Sequence, residues 1–110
     1  MNSYQKGLKG EEKAKFFLIK LGYKIIAQRI ISQIGEIDIL AMKNNDIFLF
    51  EVKKRKTIQA ALYAINEAQT NRSIETFFIY AQKHNITYQQ IYLKALLITN
   101  DQIIMQDIII

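Results

Sequence analysis

The stretch that most constrains this chain runs from Gly35 to Lys53. It comprises Gly35-Glu36-Ile37-Asp38-Ile39-Leu40-Ala41, a polar break at Lys43-Asn44-Asn45-Asp46, and Ile47-Phe48-Leu49-Phe50-Glu51-Val52-Lys53. Successive side chains of a strand point to opposite faces. At that period the first run places Glu36 and Asp38 on one face, with Ile37 and Ile39 on the other. The second run places Glu51 and Lys53 together, opposite Phe50 and Val52. A hairpin closed over the Asn-rich turn brings carboxylates and an ammonium onto neighbouring strands. Carboxylates on apolar strands repel one another and must be solvated, paired or neutralised by a cation. A divalent metal supplies that compensation.

The rest of the chain limits which metal this is. There is no cysteine, and His84 is the lone histidine, so thiolate and His-cluster sites are excluded. Oxygen ligands favour magnesium, manganese or calcium. A length of 110 residues, 50% of them hydrophobic, suits one domain over residues 1–110 with a core that needs no staples. The start, Met1-Asn2-Ser3-Tyr4-Gln5-Lys6, lacks the apolar segment of a signal peptide, and no apolar run approaches membrane-spanning length. The expectation is a soluble cytoplasmic protein with no membrane partner. A net charge of +5 suits a polyanion, nucleic acid being the commonest, although AT-rich coding also yields Lys-rich and Ile-rich chains.

Around the acidic block, Tyr4 to Leu21 reads as a helix with a stripe at Leu8, Glu11, Ala14, Leu18 and Leu21, broadened by Phe17 and ended by Gly22. Glu11 lies on the sheet-facing side, whereas Glu12 is rotated about 100° away. Glu11 either reaches the carboxylate cluster or complements the helix dipole. Tyr23 to Ile31 reads as the first strand, interrupted by Arg29, which faces either phosphate or solvent. Lys53-Lys54-Arg55-Lys56 is either a solvated strand exit or a place to meet phosphate charge; Lys53 points into the cluster and Lys54 away.

Ala60 to Ala81 predicts one helix, with a stripe at Ile74, Phe77, Phe78 and Ala81 and a small-residue face at Ala61, Ala64 and Ala68. A flexible loop is expected around Thr57 to Ala61. Gln69 and Arg72 either reach the site or form a polar flank. His84-Asn85 ends the helix. Ile91 to Thr99 and Gln102 to Ile110 form a last hairpin over Asn100-Asp101, its apolar end covered by the core or by a partner chain.

The order is thus helix, three strands, helix, two strands. This resembles the restriction-endonuclease-like, PD-(D/E)xK nuclease superfamily, an α/β fold with a central mixed sheet flanked by helices. More closely, Gly10-Glu11, Ala14, Leu18, Gly22-Tyr23, Gly35-Glu36-Ile37-Asp38, Phe50-Glu51-Val52-Lys53 and Arg55 resemble the YraN-type family, small bacterial proteins considered relatives of archaeal Holliday junction resolvases. The match spans Lys6 to Ala81. The resemblance implies that Asp38 and Glu51 ligate Mg2+ or Mn2+, with the Val52 carbonyl as a further ligand. It implies Lys53 as the motif lysine, Glu11 as the additional helix acid and a further metal ligand, and Glu36 in support. Gln69 stands where the family commonly has lysine, and Lys94-Ala95-Leu96 lacks the Arg-Phe-Asp-like signature expected near that strand.

The implied activity is metal-dependent endonucleolytic hydrolysis of DNA, on branched, Holliday-junction-like or repair intermediates. Glu11, Asp38, Glu51 and Lys53 would be catalytic, and Arg29, Lys54, Arg55, Lys56 and Arg72 would contact nucleic acid. Lys53 is expected to act by orientation and electrostatics. A symmetrical four-way substrate would suit a two-fold homodimer. The alternative is a non-catalytic nucleic-acid-binding module that keeps the fold, and a third reading is a small assembly subunit whose acids form structural ion pairs.

Overall fold

The computed structural model describes the backbone of residues 3–109 and the side chains of residues 10–109. Leu8 of the expected stripe, the leading Met1 and Asn2, and Ile110 of the expected last strand lie outside these described residues. The elements are α1 (Ser3–Lys20), β1 (Lys24–Ile31), β2 (Glu36–Lys43), β3 (Asp46–Lys54), α2 (Ile58–Tyr63), α3 (Glu67–His84), β4 (Ile91–Ile98) and β5 (Ile103–Asp107). The strands form one sheet in the order β1-β2-β3-β4-β5, antiparallel except for the parallel β3–β4 pair. A parallel pair requires a long crossover, and α2 with α3 provides it. The expected mixed α/β architecture is present, with one helix more than the sequence pattern gives.

That extra helix comes from capping. The Ala60 N–H donates to Thr57 Oγ1 at 3.1 Å, and the Gln69 N–H donates to Asn66 Oδ1 at 3.0 Å. Each side chain satisfies a first-turn amide and so opens a separate helix. The predicted helix from Ala60 to Ala81 is therefore broken between Tyr63 and Glu67. The expected loop at Thr57 to Ala61 is instead the start of α2, with Ala61 fully buried against Ala95 and Leu97. At the end of α1, Gly22 takes a φ of +93°, and the Tyr23 N–H returns to the Leu18 carbonyl at 3.1 Å. A side chain is disfavoured in that conformation, which is why a glycine ends this helix.

The sheet is covered on both faces. On one, Ala14 and Leu18 of α1 pack on Ile39, Ala41, Phe48 and Phe50, with Tyr23 edge-on to both phenyl rings at 4.9 and 5.3 Å. On the other, Phe77 and Ala81 of α3 pack on Ile37, Leu40, Ile47 and Leu49. Central strand β3 is buried on both sides, which accounts for its unbroken run Ile47-Phe48-Leu49-Phe50. Two expected core residues are not there. Phe78, one position and about 100° beyond Phe77, is 50% exposed, and Leu21, just past the end of α1, is 45% exposed. Of the small-residue face only Ala61 is buried; Ala64 is half-buried and Ala68 exposed. β5 ends at Asp107, so Ile108 folds against the Ala61 cluster while Ile109 is exposed.

The β1–β2 turn is seated on α3. Ser32 Oγ accepts the amides of Ile34 and Gly35 at 3.1 and 3.0 Å and lies 2.9 Å from Thr76 Oγ1. A Cβ on Gly35 would lie 2.7 Å from Arg72 Cβ and 3.1 Å from the Arg72 carbonyl carbon. Gly35→Ala is therefore expected to destabilise the protein by about 1–3 kcal/mol through overpacking. Urea unfolding would show this as a lower midpoint at unchanged slope; an unchanged midpoint would mean that the turn does not sit on α3 as described.

Candidate metal and phosphate site

The site is built where two strands part. The β2–β3 ladder runs from Lys43↔Asp46 to Ile39↔Phe50 and stops there. One residue further on, Asp38 Oδ2 accepts the Val52 N–H at 2.8 Å, so a carboxylate takes the place of a strand carbonyl. On its other side β2 pairs with β1 through Gln28↔Ile39 and Ile30↔Ile37, and between them Arg29 has a φ of +53°. That conformation is uncommon for any residue but glycine, Asn or Asp. Strict alternation fails at this level: Ile39 packs beneath α1 and Ile37 beneath α3, which corrects the expectation that they share a face. The irregularity leaves Asp38 at the mouth of the fork.

A cavity of about 300 Å³ opens beside it, lined by Glu36, Asp38, Glu51, Lys53, Gln69 and Arg72 among others. β3 keeps its expected alternation here, with Glu51 and Lys53 on the cavity side and Phe50 and Val52 on the α1 side. The remainder of the basic run diverges. Lys54 turns to the other face and lies against Gly10, where its Cβ would be 3.4 Å from a methyl at that position. Arg55 donates to the Lys54 carbonyl at 2.8 Å, and both Arg55 and Lys56 are exposed. Glu11 and Arg29 do not line the cavity. They form an ion pair, with Arg29 Nη1 at 3.2 and 3.1 Å from the two Glu11 oxygens.

Burial is the main influence on the three inner carboxyls and pushes each above the ordinary carboxylate range. For Asp38 the Val52 amide and the Lys53 charge oppose it. For Glu51 the opposing groups are the Thr70 hydroxyl and Lys53, and the Asp38 charge adds to the upward shift. For Glu11 Arg29 opposes burial, and Asp38 again adds to it. These are like charges in partial contact with a low-dielectric interior, held at a cost that a cation would relieve.

Thr70 is the residue that sequence reasoning missed. Its hydroxyl donates to Glu51 Oε1 and also lies 3.1 Å from the Asn66 carbonyl, and it is 1% exposed. A signal was present: Thr70, Ser73 and Thr76 recur every three residues on α3 and are all buried. The neighbouring Gln69 and Arg72 do line the cavity. The other oxygen, Glu51 Oε2, is buried and has no hydrogen-bond partner among the described residues. An orphaned carboxylate oxygen next to Asp38 fits a hard divalent cation, and magnesium characteristically keeps waters for its remaining positions. Among the described residues, no three His, Cys, Asp or Glu side chains converge on one point; Asp38 and Glu51 line the cavity, while Glu11 lies outside its lining, paired with Arg29. Val52, through its amide, stands beside Asp38.

Two expectations follow for the metal-free protein. A carboxyl whose native pKa is raised stabilises the fold most below the ordinary aspartate range, and that contribution is lost as pH rises through the native value. Asp38→Asn, which can still accept the Val52 amide, should therefore gain stability over wild type as pH rises from acid to neutral; a gain that shrinks with pH in parallel urea titrations would contradict this. Thr70→Val, which strips Glu51 of its donor, should cost about 1–3 kcal/mol at neutral pH. Part of that cost should be recovered in acid, where Glu51 is protonated.

All of these residues fall inside the region of the chain that has relatives. The model of the family described as Uncharacterised protein family UPF0102 matches residues 10–108. A UPF0102 protein of Helicobacter hepaticus is 33% identical over 102 residues, covering 93% of this chain and 91% of the relative. One from Helicobacter pylori strain J99 is 40% identical over 76 residues, or 69% of this chain and 66% of the relative. Another, from Nitrobacter winogradskyi, is 34% identical over 82 residues, covering 74% and 70%. By the match over residues 10–108 and these identities, this chain belongs to the family UPF0102, the YraN-type family that its motifs resemble.

Proposed function

We propose that this protein is a metal-dependent endonuclease that hydrolyses DNA phosphodiester bonds, on branched or repair intermediates. The observation that carries the reading is the meeting of Asp38, Glu51 and Lys53 in one cavity, with Glu51 Oε2 buried and unpartnered. Asp38 and Glu51 would hold Mg2+ or Mn2+, which when bound neutralises phosphate charge and lowers the pKa of a coordinated water. The chain's own groups do the rest. The Val52 amide fixes the Asp38 carboxylate, and the Thr70 hydroxyl fixes Glu51, so neither has to reorganise on loading. Lys53 places an ammonium among the carboxylates, where it meets a non-bridging phosphate oxygen and steadies the charge that grows as water oxygen bonds to phosphorus and the P–O3′ bond breaks. Arg72 and Gln69 border the same cavity and suit the adjoining backbone of the nucleic acid.

A second reading, a DNA-binding module without catalysis, is favoured by one observation, the absence of a three-acid cluster among the described residues. It keeps the basic residues as phosphate contacts and predicts affinity that falls steeply with salt.

The readings separate in one assay, cleavage of end-labelled four-way, flapped, single-stranded and linear DNA with Mg2+, Mn2+ or chelator. The nuclease should cut at least one substrate only with metal, and Asp38→Ala should lower the rate on the order of a hundredfold or more. Lys53→Ala should lower cleavage as well while leaving metal binding in place. No cleavage of any substrate, with DNA binding equal in wild type and Asp38→Ala, would overturn the nuclease and leave the binding module.

A further inference from the structure

The Glu11–Arg29 pair has a placement that a surface ion pair does not need. Arg29 sits in a left-handed backbone conformation, φ +53°, level with Asp38 and between the ladder pairs on either side. Its guanidinium reaches both Glu11 oxygens, and the Glu11 side chain is only 14% exposed. Arg29 also acts electrostatically on Asp38, as do Glu11 and Glu36 on their neighbours. An ion pair in which one guanidinium nitrogen bridges both carboxylate oxygens thus stands outside the cavity, and its acid is not brought to Asp38 and Glu51 by the fork.

Resting on the nuclease reading, we infer that Arg29 is a positioning residue that serves as the resident counter-ion of Glu11 and competes with the divalent cation for it. With no metal bound, Arg29 holds the Glu11 carboxylate away from Asp38 and Glu51. On loading, Glu11 would exchange the guanidinium for the metal. Helix α1, which carries Glu11, touches β1, β2, β3 and β4, so the exchange is a side-chain movement on a packed scaffold. Arginine suits this role because its charge is permanent.

The direction of one measurement separates this role from a structural one. If Arg29 merely braced the fold, removing it would loosen the site and weaken metal binding. If it competes for Glu11, removing it would strengthen metal binding. Mn2+ binding is to be measured by isothermal titration calorimetry on wild type, Arg29→Asn and Glu11→Gln; asparagine is chosen because it tolerates the left-handed conformation. Circular dichroism of each protein without metal checks that the fold is kept. The expected result is about tenfold tighter Mn2+ binding by Arg29→Asn, the order of effect for one unit charge removed beside a half-buried site. Glu11→Gln should bind several-fold more weakly. Equal or weaker binding by Arg29→Asn, or unchanged binding by Glu11→Gln, overturns the exchange and leaves the nuclease reading standing. No Mn2+ binding by wild type overturns both.

Discussion

The hydrogen bond from the Val52 amide to the Asp38 carboxylate is the constraint on which the site depends. Antiparallel strands ordinarily satisfy each other's amides with carbonyls. Here the β2–β3 ladder ends at Ile39↔Phe50 and an acid supplies the next acceptor at 2.8 Å. Several consequences follow from that substitution. The strands diverge, the cavity between β2, β3 and α3 has room to exist, and Asp38 is fixed at its mouth instead of lying flat on a covered face. Glu51 and Lys53 come along because β3 continues without irregularity, paired in parallel with β4 through Lys53↔Leu97 and Lys54↔Ile98.

The surrounding fold makes this geometry affordable. β3 carries four consecutive apolar residues buried on both faces, and α1 and α3 each seal one layer. A site that gathers carboxyls with raised proton affinity needs such a frame, because the burial that excludes water also works against the charges. Thr70 and Val52 offset part of that cost with hydrogen bonds, and the remainder is what a divalent cation would relieve.

Much of this was legible in the chain itself. Local chemistry was easiest to read: the Asn44-Asn45 turn, the glycine at position 22, the alternation of Glu51 and Lys53 against Phe50 and Val52, and the α1 stripe through Ala14 and Leu18. What escaped depends on contacts between distant segments or on capping. The change of face between Ile37 and Ile39 is not marked in the sequence of β2; it stands opposite Arg29, whose backbone on β1 is left-handed. The break between α2 and α3 rests on Asn66, one polar residue inside a helical pattern. Thr70 looked like an ordinary helix residue until α3 was laid on β3, and Phe78 looked like core because a stripe read at three-and-four spacing admits both neighbours of a buried Phe77. The helical stripe shows that Glu11 lies on the sheet-facing side, but nothing in the sequence pairs it with Arg29, eighteen residues on.

The most direct test of the central claim is a titration of 15N-labelled protein with Mn2+, following paramagnetic loss of amide signals. A divalent site in the fork predicts that the first signals to vanish are those of Asp38, Glu51, Val52 and Lys53, with the Thr70 amide close behind. Broadening centred elsewhere, or spread evenly over exposed acids such as Glu75 and Asp101, would contradict a metal site built by the parting of β2 and β3.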